Sequence, residues 1–178
     1  MRSMRAQKVS RSARGRWVEM AILVGPAVAW AVLVSGASSS GGASGNTESL
    51  LLQGLRSLSP RFAASLTAWQ IEALNYAVRK SAHFVEYAVL MCLTLRAFQF
   101  GFQRLRLRSV LASSLAVSLF AAGDEVHQWF VPGRSASAAD VLIDVCGAGA
   151  GLLACATLFV MKRLERSLAG EGTGVVDT

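Results

Sequence analysis

Four stretches of the chain are rich in apolar residues and long enough to cross a bilayer as helices. They cover residues 17–34, 82–102, 109–128 and 141–161. At a rise of 1.5 Å per residue, about twenty residues cross a hydrocarbon core about 30 Å thick. The third stretch is the most polar, because its last turn carries ionisable side chains. This pattern predicts an all-α integral membrane protein that is a four-helix bundle, in which each of the four stretches forms one membrane span.

The segments outside these spans differ in character. Residues 1–16 are predicted to form a disordered basic tail, and residues 164–178 a second tail. The membrane domain between them covers residues 17–163. The loop at 35–81 begins with a Ser/Gly-rich stretch typical of a flexible linker. Further along the loop, apolar residues recur at the spacing of an amphipathic helix that lies on the outer membrane surface or packs on the bundle. These are Phe62, Leu66, Trp69, Ala73 and Tyr76.

The distribution of Lys and Arg predicts the orientation of the chain. Twelve of them lie before the first span, between the second and third, or after the fourth, against five on the opposite side. Because basic residues collect on the cytoplasmic side, both termini are predicted to be cytoplasmic. The first apolar stretch also has the outline of a cleavable signal peptide, but it is longer than the usual 7–15 apolar residues.

Composition agrees with a membrane protein. Apolar residues make up 53% of the chain and charged residues 16%, yet the net charge is +7. A water-soluble enzyme, a disordered chain and a disulfide-stapled domain are all poor fits. Nucleic-acid binding is not expected, because no basic domain accompanies the basic tail. Cys92, Cys146 and Cys155 lie in apolar runs and are interpreted as free packing residues.

Polar residues collect at the outer ends of spans 2, 3 and 4. They are Lys80, His83, Glu86 and Tyr87; Asp124, Glu125, His127 and Gln128; Arg134 in the following Pro-Gly turn; and Asp140 and Asp144. At 100° per residue, Asp124, His127 and Gln128 fall within a sector of about 100°. Because ionisable groups in hydrocarbon are costly, we expect this set to face the bundle interior and form a ligand site. The alternative is a polar plug that only holds three helices together.

The charges narrow the chemistry of such a site. An anionic or zwitterionic guest fits Lys80 and Arg134, whereas those cations would repel a metal ion, so neither a metal nor a cofactor is predicted. If the site is catalytic, the general base would be His83 or His127, with Asp124 or Asp140 orienting it. Below the site, Gly147 and Gly151 have the spacing of residues that seat one helix closely against another, and a homodimer is the alternative use of that face.

Two motifs resemble the VanZ-like membrane proteins of bacteria. The first is Arg79-Lys80-Ser81-Ala82-His83-Phe84-Val85-Glu86-Tyr87. The second is Asp124-Glu125-Val126-His127-Gln128-Trp129-Phe130-Val131-Pro132-Gly133-Arg134, followed by Asp140, Asp144 and the glycine run. The resemblance implies a four-helix protein of the bacterial inner membrane and a role in tolerance of teicoplanin-type glycopeptide antibiotics.

The sequence is compatible with three functions. The favoured one is a non-enzymatic protein of the lipid bilayer that binds a cell-envelope ligand, which is a lipid headgroup, a lipid-linked envelope precursor or the glycopeptide antibiotic. The second is an intramembrane enzyme acting on a lipid or wall precursor. Transport is the third, although four helices without an inverted repeat offer little pathway.

Overall fold

A computed structural model of the chain describes residues 2–39, 43–99, 105–131 and 137–171. These residues form helices joined by short connections, and the all-α prediction is confirmed over them. The six helices are α1 (Arg2–Ser39), α2 (Ala43–Leu58), α3 (Pro60–Ser65), α4 (Ala68–Phe98), α5 (Leu107–Trp129) and α6 (Ala138–Glu171).

Three helical segments are long and apolar enough to cross a membrane. They are Trp17–Ala37 of α1, Leu107–Trp129 of α5 and Ala138–Ala169 of α6. Helix α4 has 31 residues and a length of about 46 Å, but it is not one of these candidates. Its middle carries Arg79, Lys80, His83 and Glu86, which reduce its mean hydropathy.

The amphipathic stripe predicted across residues 62–76 is not one helix. Helix α3 ends at Ser65, and α4 begins at Ala68 after a capping box in which the Thr67 side chain and Gln70 satisfy each other's backbone N–H groups. Because a capped N-terminus defines a helix start, the periodic spacing alone was misleading here. From Ala68 to Phe98, the second half of the stripe and residues 82–98 of the predicted second span form one continuous helix.

Two segments predicted to lack regular structure are helical. Helix α1 begins at Arg2, so the basic tail is the first part of the same helix that forms the first span. In the Ser/Gly-rich stretch, residues up to Ser39 belong to α1 and those from Ala43 to α2. Ala and Ser cost little in a helix interior, and extending an existing helix avoids the cost of nucleation. Low complexity was therefore a poor guide to local structure at these positions.

Helix α4 lies at the centre of the bundle, in contact with α1, α5 and α6. Its closest partner is α6, because Gly147 and Gly151 let the two backbones approach. A Cβ atom at Gly147 would overlap the Phe84 carbonyl, and one at Gly151 the Ala88 carbonyl. One turn deeper, the Sγ atoms of Cys92 and Cys155 are 3.1 Å apart. The buried apolar core involves α1, α4, α5 and α6. It consists of Val34, Tyr87, Leu90, Met91, Val117, Ala121 and Ala148.

Candidate functional site

The middle of α4 and the first two turns of α6 bring basic and acidic side chains together. Lys80 of α4 forms an ion pair with Asp140 of α6, and both side chains are about four-fifths buried. The Lys80 ammonium also lies 5.3 Å from the centre of the Tyr76 ring. One turn deeper, His83 Nδ1 lies 3.8 Å from a carboxylate oxygen of Glu86 and 3.8 Å from one of Asp144.

Helix α5 contributes three buried polar side chains to the same region, namely Asp124, Glu125 and Gln128. The Gln128 amide donates a hydrogen bond of 2.9 Å to Asp124 Oδ2. Glu125 Oε2 accepts a hydrogen bond of 2.9 Å from the backbone N–H of Ser137, immediately before α6. Glu125 thereby ties the end of α5 to the start of α6. We call Lys80, His83, Glu86, Tyr87, Asp124, Glu125, Gln128, Asp140 and Asp144 the polar cluster.

The centre of the polar cluster contains buried oxygens that lack hydrogen-bond partners among the described residues. These are Tyr87 Oη, Asp124 Oδ1 and Asp144 Oδ1, on residues that are 0%, 4% and 1% exposed. The Tyr87 hydroxyl is within electrostatic range of both aspartates. Two of the three oxygens can only accept hydrogen bonds when the carboxyl groups are ionised. The Tyr87 hydroxyl can donate one hydrogen bond, so among these three groups of the described centre the ionised acceptors outnumber the hydroxyl donor.

Of the residues that the sequence placed in the site, one is exposed and another lies outside the described part of the chain. His127 is exposed, so the prediction that it shares the inward face of α5 with Asp124 and Gln128 is wrong. The buried stripe of α5 runs through Val117, Ala121 and Asp124, and His127 falls on the side of the helix turned away from it. Arg134 lies outside the described residues, as does most of the predicted Pro-Gly turn.

Two residues next to the polar cluster were not predicted. The Trp30 indole of α1 donates a hydrogen bond of 2.9 Å to the Glu86 carbonyl, which joins α1 to the outer part of α4. The Phe120 ring lies 6.0 Å from the Tyr87 ring, directly below the buried carboxylates. A tryptophan within an apolar span is a signal for such a bond, because its N–H needs an acceptor when buried. Phe120 carries no comparable signal.

Part of the polar cluster is exposed. The side chains of His83 and Glu86 are 17% and 28% exposed, and those of Lys80 and Asp140 are 21% and 20% exposed. The side chain of Asp144 is only 2% exposed, so a guest would meet these four residues before the buried aspartates. Within the described ranges, no three His, Cys, Asp or Glu side chains are placed to hold one metal ion.

Comparison with known proteins gives one result. The model of the VanZ/LLP1 family matches residues 23–160. This range includes residues 23–34 of the first predicted span, the second and third spans completely, the fourth up to residue 160, and the whole polar cluster. Neither the curated proteins nor the solved structures contain a significant match to the chain.

Proposed function

This chain belongs to the VanZ/LLP1 family, and we propose that it is a multi-pass protein of a bacterial inner membrane whose polar cluster binds the ammonium-bearing headgroup of a cell-envelope ligand. The proposal is carried by the acceptor oxygens of Asp124 and Asp144 that have no hydrogen-bond partner within the described ranges. A plug that served only to hold helices together would saturate its own buried hydrogen bonds, because each one left unmade costs about 1–3 kcal/mol. A ligand that donates hydrogen bonds would recover that energy.

The electrostatics of the cluster favour a zwitterionic headgroup. Asp140 already neutralises Lys80, which leaves the buried carboxylates as the excess charge. A protonated amine would bind to these carboxylates through charge-assisted hydrogen bonds. The phosphate of the same headgroup would then lie on the side of Lys80, with Arg134 as the second cation predicted for this site. This assignment keeps the zwitterionic guest of the sequence-based prediction and adds a contact between its ammonium group and the buried carboxylates.

The topology of the proposal has four spans with both termini in the cytoplasm. Helix α4 supports it, because it contacts α1, α5 and α6 and so lies among the three helices that can cross a membrane. Alkaline phosphatase, which is active only outside the cytoplasm, is expected to be active when fused after Ser59 and inactive when fused after Glu171. An active enzyme at Glu171 would contradict this topology.

The headgroup assignment predicts that the purified protein discriminates between two lipids with identical acyl chains. Phosphatidylethanolamine can donate N–H hydrogen bonds and phosphatidylcholine, whose nitrogen is fully methylated, cannot. We expect dioleoyl phosphatidylethanolamine to bind about tenfold more tightly, since a hydrogen bond to a charged group is worth about 1.5–3 kcal/mol. Native mass spectrometry of protein released from detergent micelles measures both dissociation constants.

A pair of matched substitutions on α4 locates this discrimination. Glu86→Gln is expected to weaken the preference for phosphatidylethanolamine, because it removes a negative charge that lies within electrostatic range of Asp124 and would also attract the ammonium group. Glu72→Gln makes the same change at an exposed position outside the cluster and should leave the preference intact. Equal affinities of the wild-type protein for the two lipids would refute the headgroup assignment. Teicoplanin serves as a third probe, and tight binding that requires Glu86 would identify the antibiotic as the ligand instead.

A second candidate function is an intramembrane enzyme acting on a lipid or wall precursor. The observation in its favour is the position of His83, whose Nδ1 lies near the Asp144 carboxylate and could be oriented by it as a general base. Incubation of the purified protein with lipid-linked wall precursors tests this function. Turnover that is lost in His83→Ala but kept in His127→Ala would favour the enzyme, because only His83 belongs to the cluster.

A further inference from the structure

An apolar groove lies directly below the polar cluster, between α1, α4 and α5. It has a volume of about 420 Å³ and is lined by side chains from Val24–Ala31, Leu90–Phe98 and Ala116–Phe120. Thr94 contributes the one hydroxyl among the lining residues. Along α4 the groove extends about 12 Å into the bundle from the level of Leu90. In a membrane, such a groove is in contact with hydrocarbon chains rather than with water.

The groove continues the polar cluster along α4. Glu86 lies one turn above Leu90, and Thr94 lies one turn below it, so these residues share one face of the helix at i, i+4 and i+8. The side chain of Glu86 is also 28% exposed, so a ligand can reach its carboxyl group. The partly exposed Glu86 side chain therefore lies one helical turn above Leu90, which lines the groove.

Helix α5 shows the same order of polar and apolar residues. Asp124 lies one turn above Phe120, which lines the groove, and Val117 lies one turn below. The Glu86 and Asp124 carboxyl groups are close enough to interact electrostatically, so the two helices present a pair of acids above one apolar channel. The indole of Trp30 closes the third side of this upper rim through its hydrogen bond to the Glu86 carbonyl.

We infer that the groove binds one hydrocarbon chain of a membrane lipid whose ammonium-bearing headgroup occupies the polar cluster. This inference rests on the proposed function and deepens it, because it assigns the ligand to the membrane lipids. Its basis is that, on both α4 and α5, an acidic residue lies one helical turn above the apolar residues that line the groove. A ligand with a polar end and a single apolar chain matches that order of residues in direction and polarity.

The inference is tested by two changes together: the length of the lipid's acyl chains, and substitutions that fill the groove. In the wild-type protein, dioleoyl phosphatidylethanolamine should bind at least tenfold more tightly than the dihexanoyl form, as measured by native mass spectrometry. Ala27→Leu and Ala116→Leu place extra methyl groups in the groove and should weaken binding of the dioleoyl lipid about tenfold. Ala29→Leu and Ala122→Leu make the same change at exposed positions of the same helices, outside the groove lining, and should bind like wild type.

A measurement on the unaltered protein covers the case in which a groove-filling variant does not fold. Phosphatidylethanolamine with a diazirine in its acyl chain, irradiated with the wild-type protein, should label peptides containing Val24–Ala31 or Leu90–Phe98. Labelling confined to the exposed apolar side of α6, such as Leu153 and Leu158, would overturn the inference. Wild-type affinity in both groove-filling variants would overturn it as well.

The two proposals fail in different ways. If Glu86→Gln weakens binding of both chain lengths while groove filling weakens neither, the chain-binding inference is wrong and the headgroup assignment stands. If phosphatidylethanolamine binds no better than phosphatidylcholine while groove filling still weakens both, the headgroup assignment is wrong and the groove still binds a lipid chain.

Discussion

Gly151→Ala is expected to destabilise the protein by about 2–3 kcal/mol, although alanine is the better helix former. The added Cβ atom would overlap the Ala88 carbonyl oxygen and lie 2.9 Å from the Ala88 Cα atom. These are backbone atoms, so no side chain can rotate away, and α4 and α6 must separate to make room. Thermal unfolding in detergent micelles, followed by circular dichroism, measures the loss.

Gly149 provides a matched control on the same helix. It is exposed, and a Cβ atom there would meet no other atom within 4 Å. Gly149→Ala should therefore leave stability unchanged or raise it by about 0.5–1 kcal/mol, because alanine restricts the unfolded backbone. Opposite signs for the same substitution two residues apart would show that α6 packs on α4 through Gly151. Equal effects at both positions would contradict this packing.

Lys80→Met is expected to destabilise the protein by about 3 kcal/mol. The substitution keeps most of the apolar side chain but leaves Asp140 without its ionic partner in a largely buried position. Removing one partner of a buried ion pair costs about 3–5 kcal/mol, and the partial exposure of this pair places the effect at the lower end. The contact of the ammonium with the Tyr76 ring is lost at the same time. Unfolding in detergent micelles again gives the measurement.

A double substitution separates the ion pair from the other effects of losing Lys80. Lys80→Met combined with Asp140→Asn should be less destabilised than the sum of the two single variants, because no unpaired carboxylate remains at position 140. Lys162→Met makes the same replacement at an exposed position of α6 and should change stability by less than about 0.5 kcal/mol. Strict additivity in the double variant would show that Lys80 and Asp140 do not stabilise each other.

The residues of the candidate site could largely be predicted from the sequence, because ionisable groups within apolar spans have few acceptable positions. Lys80, His83, Glu86, Asp140 and Asp144 were placed at one membrane depth from span boundaries and orientation alone, and the structure brings them together. His127 shows the limit of that reasoning. Asp124, His127 and Gln128 span a sector of about 100°, which is too wide to show which edge of it faces the bundle interior. Only the packing of Val117 and Ala121 shows that the edge with Asp124 and Gln128 is buried.

Helix boundaries were predicted less well than helix positions. Hydrophobic periodicity does not register a cap, so the break at Thr67 was missed and one stripe was predicted across it. Composition was equally misleading for the Ser/Gly-rich stretch, much of which is helical. In both cases local hydrogen bonding and the continuation of a neighbouring helix outweighed the average character of the segment.

By itself, the sequence determined that this is an all-helical protein with several segments apolar enough to cross a membrane, and that its ionisable residues collect at one end of them. Both follow from the cost of placing peptide and charged groups in hydrocarbon, which depends on residue type and spacing alone. Only the tertiary structure decided which oxygens lack donors and that a groove continues below Glu86 and Asp124. Those features depend on the rotation of each helix and the distance between helices, which contacts such as Gly151 against Ala88 determine.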